Sequence, residues 1–255
     1  MSNQLMGKIA WVTGAGTGIG EAAALALAAE GTTIILTGRR AAPLEYTAAQ
    51  IRGAGGVAHV QPADLSRAAE VESVGRFIAE TFNRLDILVN NAGVNIVERH
   101  WDKLTPSGID TLVDGNLKSA LYCITVALPF MRAQQDGLLI HTASVAGRFI
   151  GGLSGPIYTA AKHGVVAMSH TINMEECIHG IRSTAMLPGE VATPILDRRP
   201  IPVTPEERAR LVQAADCGDL VRYIACLPAH ICIPEVMITP AWNRSYVADF
   251  LRNQR

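Results

Sequence analysis

Ile9-Ala10-Trp11-Val12-Thr13 runs straight into Gly14-Ala15-Gly16-Thr17-Gly18-Ile19-Gly20, and Glu21 then opens a stretch of helical composition. A short run that is apolar at consecutive positions suits a strand covered on both faces, as in a parallel sheet. Glycines in the turn after it allow a tight bend and let backbone approach a pyrophosphate, which then lies at the positive end of the next helix. An ordinary glycine-rich turn can carry the same letters. The strand before it and the helix after it are the context that favours the nucleotide.

The same unit repeats outward from this stretch. Apolar runs recur at Thr33–Thr37, Ala58–Gln61, Ile87–Asn90, Leu138–Thr142, Ser183–Leu187 and Val236–Thr239. Between them lie segments of helical length at Glu21–Glu30, Leu44–Arg52, Glu70–Phe82, Pro106–Met131, Tyr158–Glu176 and Pro205–Ala215. Thr204-Pro205-Glu206-Glu207 supplies an N-cap, a proline at the first helical position and a glutamate three residues after the cap; Thr105-Pro106 offers a similar start. Strand–helix alternation from end to end implies right-handed crossovers and an α/β fold: a doubly wound parallel sheet of about seven strands with helices on both faces. No linker, repeat or low-complexity segment interrupts residues 1–255, which predicts one domain.

Composition narrows the class. The chain has 255 residues, 49% hydrophobic and 18% charged, with a formal net charge of −1. It can bury a sizeable core, and it carries no electrostatic sign of a nucleic-acid partner. No apolar run reaches the roughly 18–20 residues that span a bilayer, so no membrane partner is expected. Met1-Ser2-Asn3-Gln4 lacks the basic-then-apolar pattern of a secretory signal. The five cysteines are odd in number, form no Cys-x-x-Cys pair and read as reduced core thiols, with no disulfide framework or metal site expected. A soluble, cytoplasmic protein is the expectation.

Three further segments carry chemistry. The second strand ends Leu36-Thr37-Gly38-Arg39-Arg40. An acid near this point binds the ribose 2′-hydroxyl of NAD, whereas arginine accommodates a 2′-phosphate, so NADP(H) is favoured and NAD(H) is the alternative. Thr17 stands inside the glycine loop where a second basic residue would have strengthened that reading. Tyr158 and Lys162, four apart, share one helix face. A nearby ammonium favours phenolate and makes tyrosine a usable acid–base. Ser144 follows an apolar strand, Asn90-Asn91-Ala92-Gly93 closes the fourth, Asp64 closes the third, and Asn116 sits within a long helical segment.

Taken together, these motifs, spread over residues 13–193, resemble the classical short-chain dehydrogenase/reductase family. The resemblance implies an NAD(P)-binding Rossmann domain, and an enzyme acting on CH–OH or C=O groups of a small molecule. Asn116, Ser144, Tyr158 and Lys162 would form its catalytic tetrad. Tyr158 would exchange the proton, and Lys162 would bind the nicotinamide ribose and lower the tyrosine pKa. Ser144 would hold the substrate oxygen, and Asn116 would keep a relay water through a backbone distortion. Gly14, Gly16, Thr17, Gly18, Ile19 and Gly20 would form the pyrophosphate loop. Asp64 and Leu65 would border the adenine, with Asn91, Ala92 and Gly93 beside the adenosine ribose. Pro188, Gly189, Val191 and Thr193 would meet the nicotinamide end. The two long helices would join subunits into a homotetramer or homodimer.

Departures from the family pattern also shape the expectations. His141 replaces a frequent asparagine and reads as a satisfied core residue; Leu187 stands where asparagine or serine is frequent. Ile231–Pro240 lacks the usual paired-glycine exit and looks closer to the branch that oxidises 3-hydroxy acids and serine-like amino acids. Residues 190–215 are expected to form a substrate lid, in which Asp197-Arg198-Arg199-Pro200 either meets a substrate carboxylate or is a solvated loop; Arg148 carries the same pair of readings. Asn95, Phe149, Leu153 and Ile195 are expected as pocket walls. The tail, 241–255, packs across a neighbour, over its own pocket or on its own core. The leading function is an NADP(H)-dependent carbonyl–alcohol oxidoreductase. The alternatives are an NAD-dependent alcohol or 3-hydroxy-acid dehydrogenase and a non-catalytic cofactor-binding sensor or scaffold.

Overall fold

A computed structural model describes residues 3–198 and 203–254. Six strands occur where the apolar runs place them: β1 (Ile9–Thr13), β2 (Thr33–Gly38), β3 (Ala58–Pro62), β4 (Ile87–Asn90), β5 (Gly137–Thr142) and β6 (Ile181–Pro188). Two short strands, β7 (Val191–Ala192) and β8 (Val212–Gln213), pair only with each other, and β9 (Glu235–Ile238) completes the main sheet. That sheet is parallel throughout, in the order β3-β2-β1-β4-β5-β6-β9. From β1 the chain winds one way to β2 and β3, then returns to lay β4 against β1 with Ala10 opposite Ile87. The order reverses at β1/β4, and a crevice opens above the carboxyl ends of those strands.

Helices cover both faces. Against one face lie α1 (Gly18–Ala28), α2 (Ala41–Gly53) and α8 (Ala214–Ala225), contributing Leu27, Leu44, Ile51, Cys217, Val221 and Ile224 to a core with Val12, Ile34 and Leu36. Against the other lie α3 (Ala68–Thr81), α5 (Ser119–Gln134) and α6 (Pro156–Glu176), packed through Val74, Ile78, Cys123, Met131 and Ile172 on Trp11, Ile35 and Leu88. Trp11 is fully buried, and its indole N–H donates to the Thr37 hydroxyl at 2.9 Å, so a large apolar ring is enclosed without stranding its polar atom.

Two expected helices are divided differently. Pro106–Met131 is α4 (Pro106–Val113), a π turn at Asp114–Lys118, and then α5. The apolar stripe survives one inserted residue, so the interruption leaves little trace in periodicity. Pro205–Ala215 contains only the short α7 (Pro205–Ala209), started by the Thr204–Glu207 capping box. The chain then passes through β8, and Gln213 with Asp216 caps α8, a helix the sequence reading did not separate. Arg244–Arg252 forms α9. No helix among the described residues is long and apolar enough to cross a membrane. All five cysteines are free; Cys123 and Cys217 are buried, whereas Cys177 and Cys232 are exposed, which corrects their reading as core thiols.

Candidate active site

A cleft of about 1550 Å³ opens above the β1/β4 reversal. Thr13, buried at the end of β1, braces the chain that lines it: its hydroxyl accepts from the Asn91 and Ala92 amides at 2.9 and 3.0 Å and donates to Val89 O at 3.3 Å. That residue was absent from the sequence-derived site; its only signal was a hydroxyl at the strand end. Gly14, Gly16, Thr17, Gly18 and Ile19 face the cleft. Gly18 sits at φ +62°, and a Cβ there would come within 3.0 Å of the Thr193 methyl. Gly20 instead lies inside α1, against Gly14 O and the Asn91 side chain, so it permits close packing rather than touching the cleft. Thr17 precedes α1 without capping it through its side chain. The positive end of α1 and the glycine turn are therefore shaped to receive a phosphate group.

Arg39 and Arg40 line one arm, exposed at the end of β2. Asp64 and Leu65 border the same arm, with Asp64 accepting from the Ser66 amide and hydroxyl at 3.1 and 2.7 Å. Burial pushes the Asp64 carboxyl up, but the Ser66 bonds and then Arg39 and Arg67 outweigh it and hold it below its ordinary value. Asn91, Ala92 and Gly93 also line the cleft. The Asn91 amide group donates to Thr13 O at 3.1 Å, so this side chain ties β4 to the glycine turn. Pro188, Gly189, Val191 and Thr193 form the wall after β6, where the Gly189 amide is anchored on Ile238 O at 2.8 Å.

Ser144, Tyr158 and Lys162 meet at the other arm. Ser144 follows β5, and its hydroxyl accepts from the Ala146 amide at 3.1 Å and hydrogen bonds the Tyr158 phenol. Tyr158 and Lys162 project from the first turns of α6, which starts at Gly155 (φ +80°) and Pro156. Lys162 is 3% exposed; its ammonium lies 5.6 Å from the Tyr158 ring centroid and donates to Thr142 O at 2.7 Å. Burial pushes Lys162 down to about 8. Tyr158 is half-buried in the cleft wall, and burial pushes its phenol up, opposed by the Ser144 bond and the Arg99 charge, which pull it down. The lowering expected at Tyr158 is not seen, because burial outweighs the Ser144 bond and the Arg99 charge and the phenol is raised.

Asn116 sits in the π turn, the backbone distortion expected at that position. Its amide donates to Val94 O and Leu112 O, both at 2.8 Å, and its oxygen accepts from the Val94 amide at 3.1 Å. Asn116 and Lys162 flank Gly93: a Cβ there would stand 3.0 Å from the Asn116 oxygen and 3.6 Å from the Lys162 nitrogen.

Other expectations resolve differently. Arg148 is bound by both Glu235 oxygens at 2.9 Å and meets His170 at 3.1 Å, away from the cleft lining. His141 is buried and held near 3 by burial and then Lys162, but neither ring nitrogen has a hydrogen-bond partner among the described residues, so it is a core histidine without the expected satisfaction. Arg199 and Pro200 lie outside the described residues, as does the Arg198 side chain, whereas Asp197 pairs with Arg208 at 3.2 Å. Asn95, Phe149, Leu153 and Ile195 are cleft walls as expected. Of the three readings of the tail, Asn243 and Tyr246 favour the chain's own pocket, since both line it. Arg244 between them ties Glu190 at 2.8 Å to Glu207 at 3.0 Å, joining tail, β6–β7 turn and α7. Arg99, a buried cleft residue, gave no sequence signal that distinguished it from a loop charge.

Comparison with known proteins agrees with this geometry. The sequence model of the short chain dehydrogenase family matches residues 8–201. An uncharacterised oxidoreductase of Staphylococcus aureus strain MW2 is 34% identical over 236 residues, covering 92% of this chain and 98% of its own. A metagenomic short-chain oxidoreductase solved in complex with NADP superposes with a TM-score of 0.82 at 28% identity, covering 94% of this chain and 100% of its own. An alcohol dehydrogenase from the archaeon Thermococcus sibiricus, complexed with 5-hydroxy-NADP, superposes with a TM-score of 0.83 at 26% identity over 93% of this chain and 98% of its own. The family model over residues 8–201 and the 34% identical relative show that the chain belongs to the short chain dehydrogenase family and is an NAD(P)-dependent oxidoreductase.

Proposed function

We propose that the protein is an NADP(H)-dependent oxidoreductase that interconverts a carbonyl and an alcohol, with Tyr158 as general acid and base. The observation that carries this reading is one cleft with Arg39 and Arg40 at one arm and Ser144, Tyr158 and Lys162 at the other. Bound between them, a nicotinamide cofactor supplies or accepts the hydride. In reduction the Tyr158 hydroxyl donates its proton to the substrate oxygen, and in oxidation it takes the alcohol proton. Ser144 holds the same oxygen, so two donors meet the negative charge that develops there. Lys162, held near 8, gives and regains a proton close to neutral pH, and Asn116 fixes the loop in front of it. Val191 and Thr193, both in the cleft wall, hold the nicotinamide end. The NADP complexes of the two structural relatives support the phosphate-bearing cofactor.

A homotetramer or homodimer in the cytoplasm, built through α5 and α6, completes the proposal, supported by Leu121, Met174 and Ile178 exposed on and beside those helices. The test of the cofactor is a side-by-side titration of intrinsic fluorescence with NADPH and NADH. Selective, saturable binding of NADPH is expected; preference for NADH would refute the role given to the arginine pair, and response to neither would refute the cofactor cleft itself.

A further inference from the structure

We propose that the substrate is a neutral ketone or alcohol with a bulky hydrocarbon part, and that this part lies in an apolar slot at the catalytic arm of the cleft; this rests on the oxidoreductase reading above. Three observations carry it: the residues that line the slot, the way the chain there is anchored, and the placement of the nearby charges.

Six large apolar residues line the cleft and are exposed: Phe149, Ile150, Leu153, Ile195, Met237 and Tyr246, with Ile150 at 90% the most open of them. They come from three separate stretches that the fold brings to one cavity: the connection into α6, the turn after β7, and the C-terminal stretch of β9 and α9. Apolar side chains exposed singly are ordinary, but several gathered at the mouth of one cavity mark a surface that an apolar ligand covers. None of the six belongs to the glycine turn or to the Arg39–Arg40 arm, so this surface falls outside the part shaped for phosphate.

Residues 149–153 lie between Ser144 and the helix of Tyr158, so the chain carries this apolar segment directly between the two groups that meet the reacting oxygen. The segment is held at both ends. The Phe149 amide donates to Val145 O at 2.9 Å and Arg148 is bound by Glu235, while at the far end a Cβ at Gly155 would stand 2.6 Å from Arg99 O. Its middle is open: Gly151 lines the cleft, and a Cβ there or at Gly152 would have nothing within 4 Å. A segment fixed at its ends and clear at its centre leaves room for the body of a substrate whose oxygen lies between Ser144 and Tyr158. Continuity with those two groups makes the substrate, rather than a second copy of the chain, the occupant of this surface.

The nearby charges favour a neutral compound. Arg99 and Lys162, the cations of this arm, are both buried, and Lys162 is engaged by Thr142 O. Glu190, which lines the cleft beside the tail, is paired with Arg244 at 2.8 Å. Asp110, exposed on α4, also lines the cleft and repels an anion. A hydrocarbon surface offers an ionised group no hydrogen bonds, so an ion entering the slot would lose its water without replacement.

The test uses methyl ketones that share one reacting group: 2-butanone, 2-hexanone, 2-octanone and 4-phenyl-2-butanone, with 7-oxooctanoate as the anion that matches 2-octanone in length. Each is assayed with the cofactor that the titration above selects. A methylene buried in the slot should raise kcat/KM about fourfold, so 2-octanone or 4-phenyl-2-butanone should exceed 2-butanone by about tenfold or more. The neutral 2-octanone should also exceed 7-oxooctanoate. In the double variant Ile150→Ser, Met237→Ser the ratio of 2-octanone to 2-butanone should fall about fivefold, as the apolar contact is lost. Both compounds are read on one preparation, so any loss of folded enzyme cancels in the ratio. A flat series, a preference for the anion, or a ratio unmoved by the double variant overturns the proposal; an unmoved ratio together with a smaller assembly in sedimentation would give this face to a second copy instead. Calorimetric titration of 2-butanone and 2-octanone into cofactor-loaded Tyr158→Phe separates the two levels of inference. Binding that strengthens with length, without turnover of any compound by the wild type, would overturn the oxidoreductase reading and leave the apolar slot standing. Turnover with no dependence on length in either assay would do the reverse, and binding of neither ketone would overturn the slot.

Discussion

Replacing Lys162 with methionine should abolish turnover and, at the same time, remove a pH-dependent burden on the fold. Lys162 is 3% exposed, and burial holds it at about 8 against an ordinary 10.5. Below about 8 both folded and unfolded chains carry the proton, and the folded chain bears the full cost of the buried ammonium. Between about 8 and 10.5 only the unfolded chain keeps the proton, so stability rises with pH across that window. At 1.36 kcal/mol for each tenfold change in proton affinity, the gain is about 3 kcal/mol. The bond to Thr142 O does not obscure it, because a neutral amine also donates and the loss of that bond in the variant is nearly the same at both ends of the window. Urea denaturation of wild type and Lys162→Met, near pH 7 and again near pH 10.5, isolates the effect: the stability difference between the two proteins should move by about 3 kcal/mol in favour of the wild type. Parallel curves would refute the reasoning, because they would mean that the ammonium is as well solvated in the fold as in the unfolded chain.

Other outcomes follow from the same geometry. Tyr158→Phe should bind NADPH as the wild type does and lose about 10²–10⁴-fold in kcat, the usual contribution of one acid–base, as read by stopped assays with a responsive substrate. Arg39→Ala should weaken NADPH about tenfold or more while leaving NADH unchanged, since a charge-assisted bond to phosphate is lost only with the phosphate-bearing cofactor; equal weakening of both would count against the phosphate role. Gly20→Ala places a methyl 2.3 Å from Gly14 O and 2.5 Å from the Asn91 amide nitrogen, and should cost about 1–3 kcal/mol in urea denaturation along with NADPH affinity. Gly53→Ala, with nothing within 4 Å of the new carbon, is its control and should lose neither.

Where the sequence alone was informative, a local physical constraint left its mark. Ile9–Thr13 coincides with β1 to the residue, because a central parallel strand must be apolar on both faces and a phosphate-binding turn must follow it. Tyr158 and Lys162 could be paired on spacing alone, since a helix fixes which side chains are neighbours. The π turn at Asp114–Lys118 left no mark in the apolar periodicity, and the distortion at Asn116 was expected only from the family resemblance. Tertiary partners were likewise out of reach. Arg99 is set by Gly155 and by the loop bonds of Asn95 and Asn116, and Arg148 by Glu235, 87 residues away. Residue type declared the charge in both cases, but only the fold decides that one arginine is buried in the cleft wall and the other binds a sheet edge.

Asn243 and Tyr246 bring the C-terminal segment to the mouth of the cleft, yet α9 supplies none of the described residues of the buried clusters, and Phe250 and Leu251 stand open to solvent. The part of the chain that trims the entrance is thus held to the body by charge, through Arg244 on Glu190 and Glu207, rather than by a shared apolar core. Within a lineage such a segment can drift, lengthen or be exchanged while the nucleotide-binding body is inherited intact.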